Sequence, residues 1–186
     1  MRSSSRTLAL ILLILLLIVV YSEYRSRHTS TAPASPAETQ ARLGPPDIYP
    51  DAARTPGFAN PDITQENIQD TICNPHWSTK SIRPPEHYTN QLKIQQIREY
   101  GYADTSLRDY EEDHLIPLEV GGNPTDPRNL WPEPYQTSIP DGGARTKDKV
   151  ENYFHDQVCA GAIPLAEAQR EIAYDWYRVY VNSVKH

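Results

Sequence analysis

The chain has 186 residues, enough for one domain of ordinary size plus accessory segments. Its formal charge of −6, from 18 Lys and Arg against 24 Asp and Glu, argues against tight, non-specific duplex binding through a basic surface. Two cysteines, with no Cys-x-x-Cys, exclude a thiolate zinc knuckle.

Residues 8–20 are an uninterrupted aliphatic run preceded by Arg2 and Arg6, the layout of an export signal. Thirteen residues is short for a membrane span, which needs roughly 20. No small-x-small cleavage pattern follows, since the next residues are Tyr21-Ser22-Glu23-Tyr24-Arg25. Residues 1–27 are therefore expected to be a signal anchor or a cleaved signal peptide. Either one places the remainder outside the cytoplasm, facing the periplasm or cell exterior, or secreted. Residues 28–62 contain prolines at 33, 36, 45, 46, 50, 56 and 61 among Ala, Ser and Thr, and read as a semi-extended linker. Residues 63–186 are expected to form the folded domain.

Within that domain, Thr64 to Cys73 has a helical look, with Ile68 and Ile72 four apart. A clearer helix follows Pro84-Pro85, capped by Thr89 or Asn90 and closed by Gly101 at the C′ position. Asp113–Val120 reads as a strand, Gly121-Gly122-Asn123-Pro124 as a turn, and Arg128–Trp131 as a short return strand. Pro132–Asp141 is a proline-rich loop. A helix should run from about Thr146 to Cys159, with Val150, Tyr153, Phe154 and Val158 on its apolar face. Asp148, Glu151, Asn152 and His155 share the opposite face. A last helix follows Pro164, turning Leu165, Ala168, Ile172, Trp176 and Val179 inward. The fold class is α+β. In an oxidising compartment Cys73 and Cys159 are expected to pair. Closing that 86-residue separation would contribute about 4 kcal/mol in the chain-entropy model.

The chemistry concentrates in residues 110–134. Asp113-His114 ends in a Gly-Gly turn, and Asn129-Leu130-Trp131 follows 15 residues after the histidine. A carboxylate can hold a divalent cation, the neighbouring imidazole can deprotonate water, and an asparagine can fix the ring. That combination suits phosphodiester chemistry.

The series Asp113-His114-Leu115-Ile116-Pro117-Leu118, Gly121-Gly122 and Asn129-Leu130 resembles the HNH family of endonucleases, which have the ββα-metal fold. The likeness extends to a bacterial HNH-like branch carrying Asn-Leu-Trp-Pro-Glu-Pro, here Asn129 to Pro134. In that branch Lys-Asp-x-Val-Glu-Asn follows, here Lys147 to Asn152, and then Val-Cys, here Val158-Cys159. The resemblance covers about residues 73 to 180. It implies an endonuclease acting on nucleic acid with one divalent ion, Mg²⁺ or Mn²⁺, and packing helices around a ββα-metal core. His114 would be the general base and Asp113 a metal ligand. Asn129 would orient the His114 ring or bind it through its backbone carbonyl. This chain departs from the commonest family pattern, because the Pro132–Asp141 loop moves the helix away. The second metal ligand is therefore expected from the helix face: Asp148 first, His155 second, with Glu151 and Asn152 as substitutes. Arg145, Lys147 and Lys149 would hold substrate phosphates. The other reading is a non-catalytic extracytoplasmic binding module on the same scaffold, and the N-terminal segment would tie either one to the membrane.

Overall fold

A computed structural model describes residues 41–186, so the signal segment and residues 28–40 of the expected linker lie outside the described residues. The fold is α+β: helix α1 (Glu86–Glu99), strands β1 (Tyr110–His114) and β2 (Leu130–Pro134), then helices α2 (Ala144–Cys159) and α3 (Leu165–Val179). Among the described residues no helix is long and apolar enough to cross a membrane.

The strands form an antiparallel ribbon in which Asp113 pairs with Trp131 and His114 with Leu130. Beyond the strand ends, Leu115 N–H donates to Asn129 O and Tyr135 N–H to Asp109 O. The odd-numbered residues of β2 therefore carry the ladder. Pro132 and Pro134, which have no N–H to give, lie on the edge turned away from β1, where the Thr55 and Gln96 side chains donate to Leu130 O.

The expected strand from Asp113 to Val120 is displaced toward the N-terminus. Its apolar stretch is instead a loop closed by a 3₁₀ turn, Leu118–Val120. Leu115, Ile116, Leu118 and Val120 are all buried, so their apolarity reflects burial of a loop and not strand alternation. Gly121 adopts φ 73°, and a Cβ on Gly122 would collide with the Ile116 carbonyl oxygen. The Gly-Gly pair is what lets this loop fold back on itself.

Other boundaries move for local reasons. α1 begins at Glu86 directly after Pro85, so Thr89 and Asn90 lie inside the helix rather than capping it. Residues 65–73 form consecutive turns in place of a helix. There the Asn67 side chain accepts from Thr64 N–H and donates to Asp62 O, while Thr71 Oγ1 donates to Asn67 O, in competition with helical pairing. The linker expected through residue 62 is also corrected, because the folded unit starts at Arg42. Ile48 is wholly buried, its carbonyl accepts from Trp176 Nε1 at 3.1 Å, and Asp175 on α3 accepts from Leu43 N–H and Tyr49 Oη. Proline content misleads here: a stretch without periodicity can still be pinned by buried anchors.

The principal core lies between α2 and α3. Val150, Phe154 and Val158 meet Leu165, Ala168, Ile172 and Trp176, with Ile48, Ile68 and Ile72 closing the ends. Cys73 and Cys159 form a disulfide that fastens the turn segment to the C-terminus of α2. This core fixes α2 against the ribbon, and so decides which of its residues reach β1.

Candidate functional site

Asp113 and His114 end β1 and line a small cleft of about 60 Å³, room for a few waters. Its walls include Arg83, Glu111, Asp148 and Glu151. His114 is 7% exposed, and its Nε2 lies 3.0 Å from Pro124 O. A carbonyl only accepts, so Nε2 carries the proton and Nδ1 keeps the lone pair. Burial pushes the His114 pKa below the ordinary histidine value, overcoming the opposing effects of the Pro124 bond and Asp113. The imidazole is thus held neutral, in one tautomer, able to take a proton through Nδ1.

Asn129 supports this arrangement without touching the ring. Wholly buried, it accepts from Phe58 N–H and Ile116 N–H through Oδ1, and donates to Ile116 O and Asn123 O through Nδ2. Its backbone carbonyl takes Leu115 N–H. The expected direct contact with His114 is therefore replaced by an indirect one. Asn129 staples the loop whose next residue, Pro124, supplies the carbonyl that holds the imidazole.

Lys147 requires the largest correction. The sequence suggests a surface cation for substrate phosphates, yet its side chain is 0% exposed. Its Nζ lies 2.8 Å from Asp113 Oδ2, 2.6 Å from Glu151 Oε1 and 3.0 Å from His114 O. An ammonium has three donors, and all three are used. Burial opposes the charge, but Asp113, Glu151 and Glu133 together outweigh it and hold the Lys147 pKa above the ordinary lysine range. Trp131 Nε1 also donates to Asp113 Oδ2. That oxygen is shared by the ammonium and the indole.

The carboxylates around this ammonium outnumber it. Glu133 is fully buried, and among the described residues no donor reaches either oxygen. Burial, then Asp113, drives its pKa well above the carboxylate range, so it is the member that keeps its proton. Glu112 also lines the cleft, and burial lifts its pKa to about 8 against the pull of Lys93. Glu111 and Asp148 are raised by burial and then by Asp113, and Glu119 by burial.

These shifts predict a pH dependence of stability. Folded-state glutamates with raised pKa values hold protons that unfolded ones, titrating near about 4.3, have lost. Their contribution is full below about pH 4.3 and is lost as pH climbs through the folded values, which for Glu112 is about 8. His114 acts in the other direction: its folded pKa is depressed, so it costs stability only as pH falls below about 6.5. Above that point the carboxylates alone govern. The urea midpoint of unfolding is expected to fall between about pH 6.5 and about pH 8. A flat or rising midpoint would contradict this electrostatic picture.

Of the other expected ligands, Asp148 does line the cleft, at its exposed rim. His155 does not join it: its Nε2 lies 2.9 Å from Ile72 O and 3.5 Å from Cys159 Sγ, near the disulfide. Arg145 is exposed over the Tyr135 ring, 5.3 Å from its centroid. Glu111 and Arg83 are cleft residues that periodicity did not single out. The signal for Glu111 was present in its i−2 position to Asp113 on one strand face.

Among the described residues no three His, Cys, Asp or Glu side chains form a ready cage for a metal ion. Mg²⁺ usually takes one or two carboxylates and completes its octahedron with water and phosphate. The donor chemistry suits that mode, with Asp113 and Asp148 on the cleft wall and the buried oxygens of Glu112 and one of Glu119 unpartnered beside it. No family model, no curated protein and no solved structure matches the chain.

Proposed function

We propose that this domain is a metal-assisted endonuclease of the HNH type, built on a ββα-metal core and hydrolysing phosphodiester bonds of nucleic acid. One observation carries the reading: a buried, neutral imidazole locked through Nε2 to Pro124 O, beside Asp113 at the end of a strand. The strand–loop–strand–helix order, with its Gly-Gly fold-back, supports it.

In this reading His114 Nδ1 takes the proton of the attacking water, and Pro124 O keeps the ring from rotating. Asp113 and Asp148 would hold Mg²⁺ or Mn²⁺. When bound, the ion supplies Lewis-acid stabilisation of charge developing on the phosphate and leaving oxygens. Lys147 anchors Asp113 from behind and ties α2 to the strand end through His114 O. Residues 1–27 would hold the enzyme at the membrane or export it, in agreement with the disulfide. The purified full chain is expected to nick plasmid DNA or degrade RNA in Mg²⁺ or Mn²⁺ and to stop in EDTA. Failure to cleave either nucleic acid in either metal would end the proposal.

The Lys147–Asp113 pair also favours a second reading, a binding module in which the ammonium has taken over the role of the ion. Calorimetric titration with Mn²⁺ separates the two. Binding that is lost in Asp113→Asn supports the nuclease, and no binding supports the module.

A further inference from the structure

A phosphodiester entering the His114 cleft meets walls formed largely by carboxylates. Something cationic must hold it there, and of the residues expected in that role Lys147 is committed elsewhere while Arg145 and Lys149 do not line the cleft. Lys147 has spent its three donors inside the protein. Lys93 donates to Tyr110 O. Arg145 lies over the Tyr135 ring and Lys149 within 5.9 Å of the Tyr180 ring, and neither lines the cleft.

Resting on the nuclease reading, we propose that Arg83 is the residue that clamps the substrate's backbone phosphate at the mouth of the cleft. Arg83 lines the cleft, its side chain is exposed, and among the described residues no hydrogen bond or ion pair holds its guanidinium. His114 and Asp148 both feel its charge, which puts it within electrostatic reach of the proton acceptor and of the opposite rim.

The backbone is fixed where the side chain is free. Arg83 N–H donates to Thr79 O at 2.8 Å, closing the turn that contains Thr79–Ser81. Buried Pro84 and then Pro85 follow, and a residue before proline is confined to extended conformations. Further back, the Cys73–Cys159 disulfide ties the same segment to the helix that carries Asp148. A guanidinium on such a base can meet two phosphate oxygens with its parallel N–H pair, which a lysine cannot do. The net negative charge of the chain then becomes intelligible: one placed arginine, not a basic surface, would select and register the strand.

The test measures binding apart from cleavage. In the full chain carrying His114→Ala, a fluorescein-labelled oligonucleotide is titrated at several salt concentrations, with and without Arg83→Ala or Arg83→Lys. Arg83→Ala is expected to weaken binding about 10- to 100-fold and to flatten the slope of log K against log salt by about 0.7 to 0.9, the value of one phosphate contact. Arg83→Lys should restore the slope but only part of the affinity. In the otherwise wild-type enzyme, Arg83→Ala should raise KM more than it lowers kcat, with Tm within about 2 °C because the site is exposed. Unchanged affinity and slope in a chain that still cleaves overturns the Arg83 assignment and leaves the nuclease intact. Arg83-dependent binding without cleavage in Mg²⁺ or Mn²⁺ keeps the clamp and removes the nuclease. A chain that neither binds nor cleaves removes both.

Discussion

Replacing Lys147 by alanine is expected to destabilise the domain by about 3–5 kcal/mol, the range for breaking a buried ion pair by removing one partner. The magnitude follows from what is left behind. Asp113 and Glu151 lose the ammonium at 2.8 and 2.6 Å, Glu133 stays buried beside them, and His114 O loses a donor. Without the ammonium, Glu133 and Glu151 can stay in that space only by holding protons. The variant should therefore be more stable at low pH and lose stability as pH rises through the raised values of Glu151 and Glu133. Lys147→Met separates charge from packing, since it keeps most of the volume. It should be nearly as damaged at about pH 8 and recover in part at about pH 5. Adding Asp113→Asn and Glu151→Gln to Lys147→Met should recover stability further, because an ion cluster replaced as a whole costs much less than one broken. Urea denaturation of the four proteins checks the series. A Lys147→Ala protein that unfolds at the wild-type midpoint would remove the internal role and return Lys147 to the surface role its sequence position suggests.

Lys147 also shows where sequence reading loses its grip. Helix periodicity placed it beside Asp148 in a charged stretch, and charge on a helix is ordinarily solvated. Its burial depends on β1 presenting Asp113 to that turn of α2, a tertiary fact that no local pattern encodes. The α2 and α3 helices were legible for the opposite reason: their apolar residues recur at helical spacing and pack on each other. β1 was misplaced because Tyr-Glu-Glu-Asp-His carries no apolar alternation, while the apolar residues that follow are buried in a loop. His114 and Asp113 were legible as a pair from their setting beside the Gly-Gly turn. The partner of the ring was not. A proline carbonyl as acceptor leaves no trace in side-chain chemistry, whereas Asn129 looks like the natural candidate. Its four side-chain bonds go instead to the loop that sets that carbonyl in place. Arg83 is legible only as part of a basic pair with Lys80 upstream of the motif, because it reaches the cleft through a turn fixed by two prolines and a disulfide.

Under the nuclease proposal, His114→Ala should lower kcat/KM by about 10²- to 10⁴-fold, the usual contribution of a general base. Because the side chain is buried and donates to Pro124 O, the variant will also lose some stability, about 1–3 kcal/mol for the orphaned carbonyl and the space left behind. Activity must therefore be read below the variant's own melting range. Two readouts separate catalysis from structure. Added imidazole should restore part of the cleavage rate in His114→Ala, which a folding defect would not allow. The pH profile of wild-type kcat/KM is sharper still. A base must be unprotonated to act, and burial lowers the His114 pKa, so the acid limb should fall away below about 6.5, the ordinary histidine value. A limb centred nearer 8 would implicate Glu112, whose carboxyl burial lifts to about 8 on the same ribbon. In that case the proton acceptor would be a glutamate and His114 a positioning residue. An acid limb below 6.5 that disappears in His114→Ala, with imidazole rescue at higher pH, would instead place the proton on Nδ1, the one ring nitrogen that Pro124 leaves available.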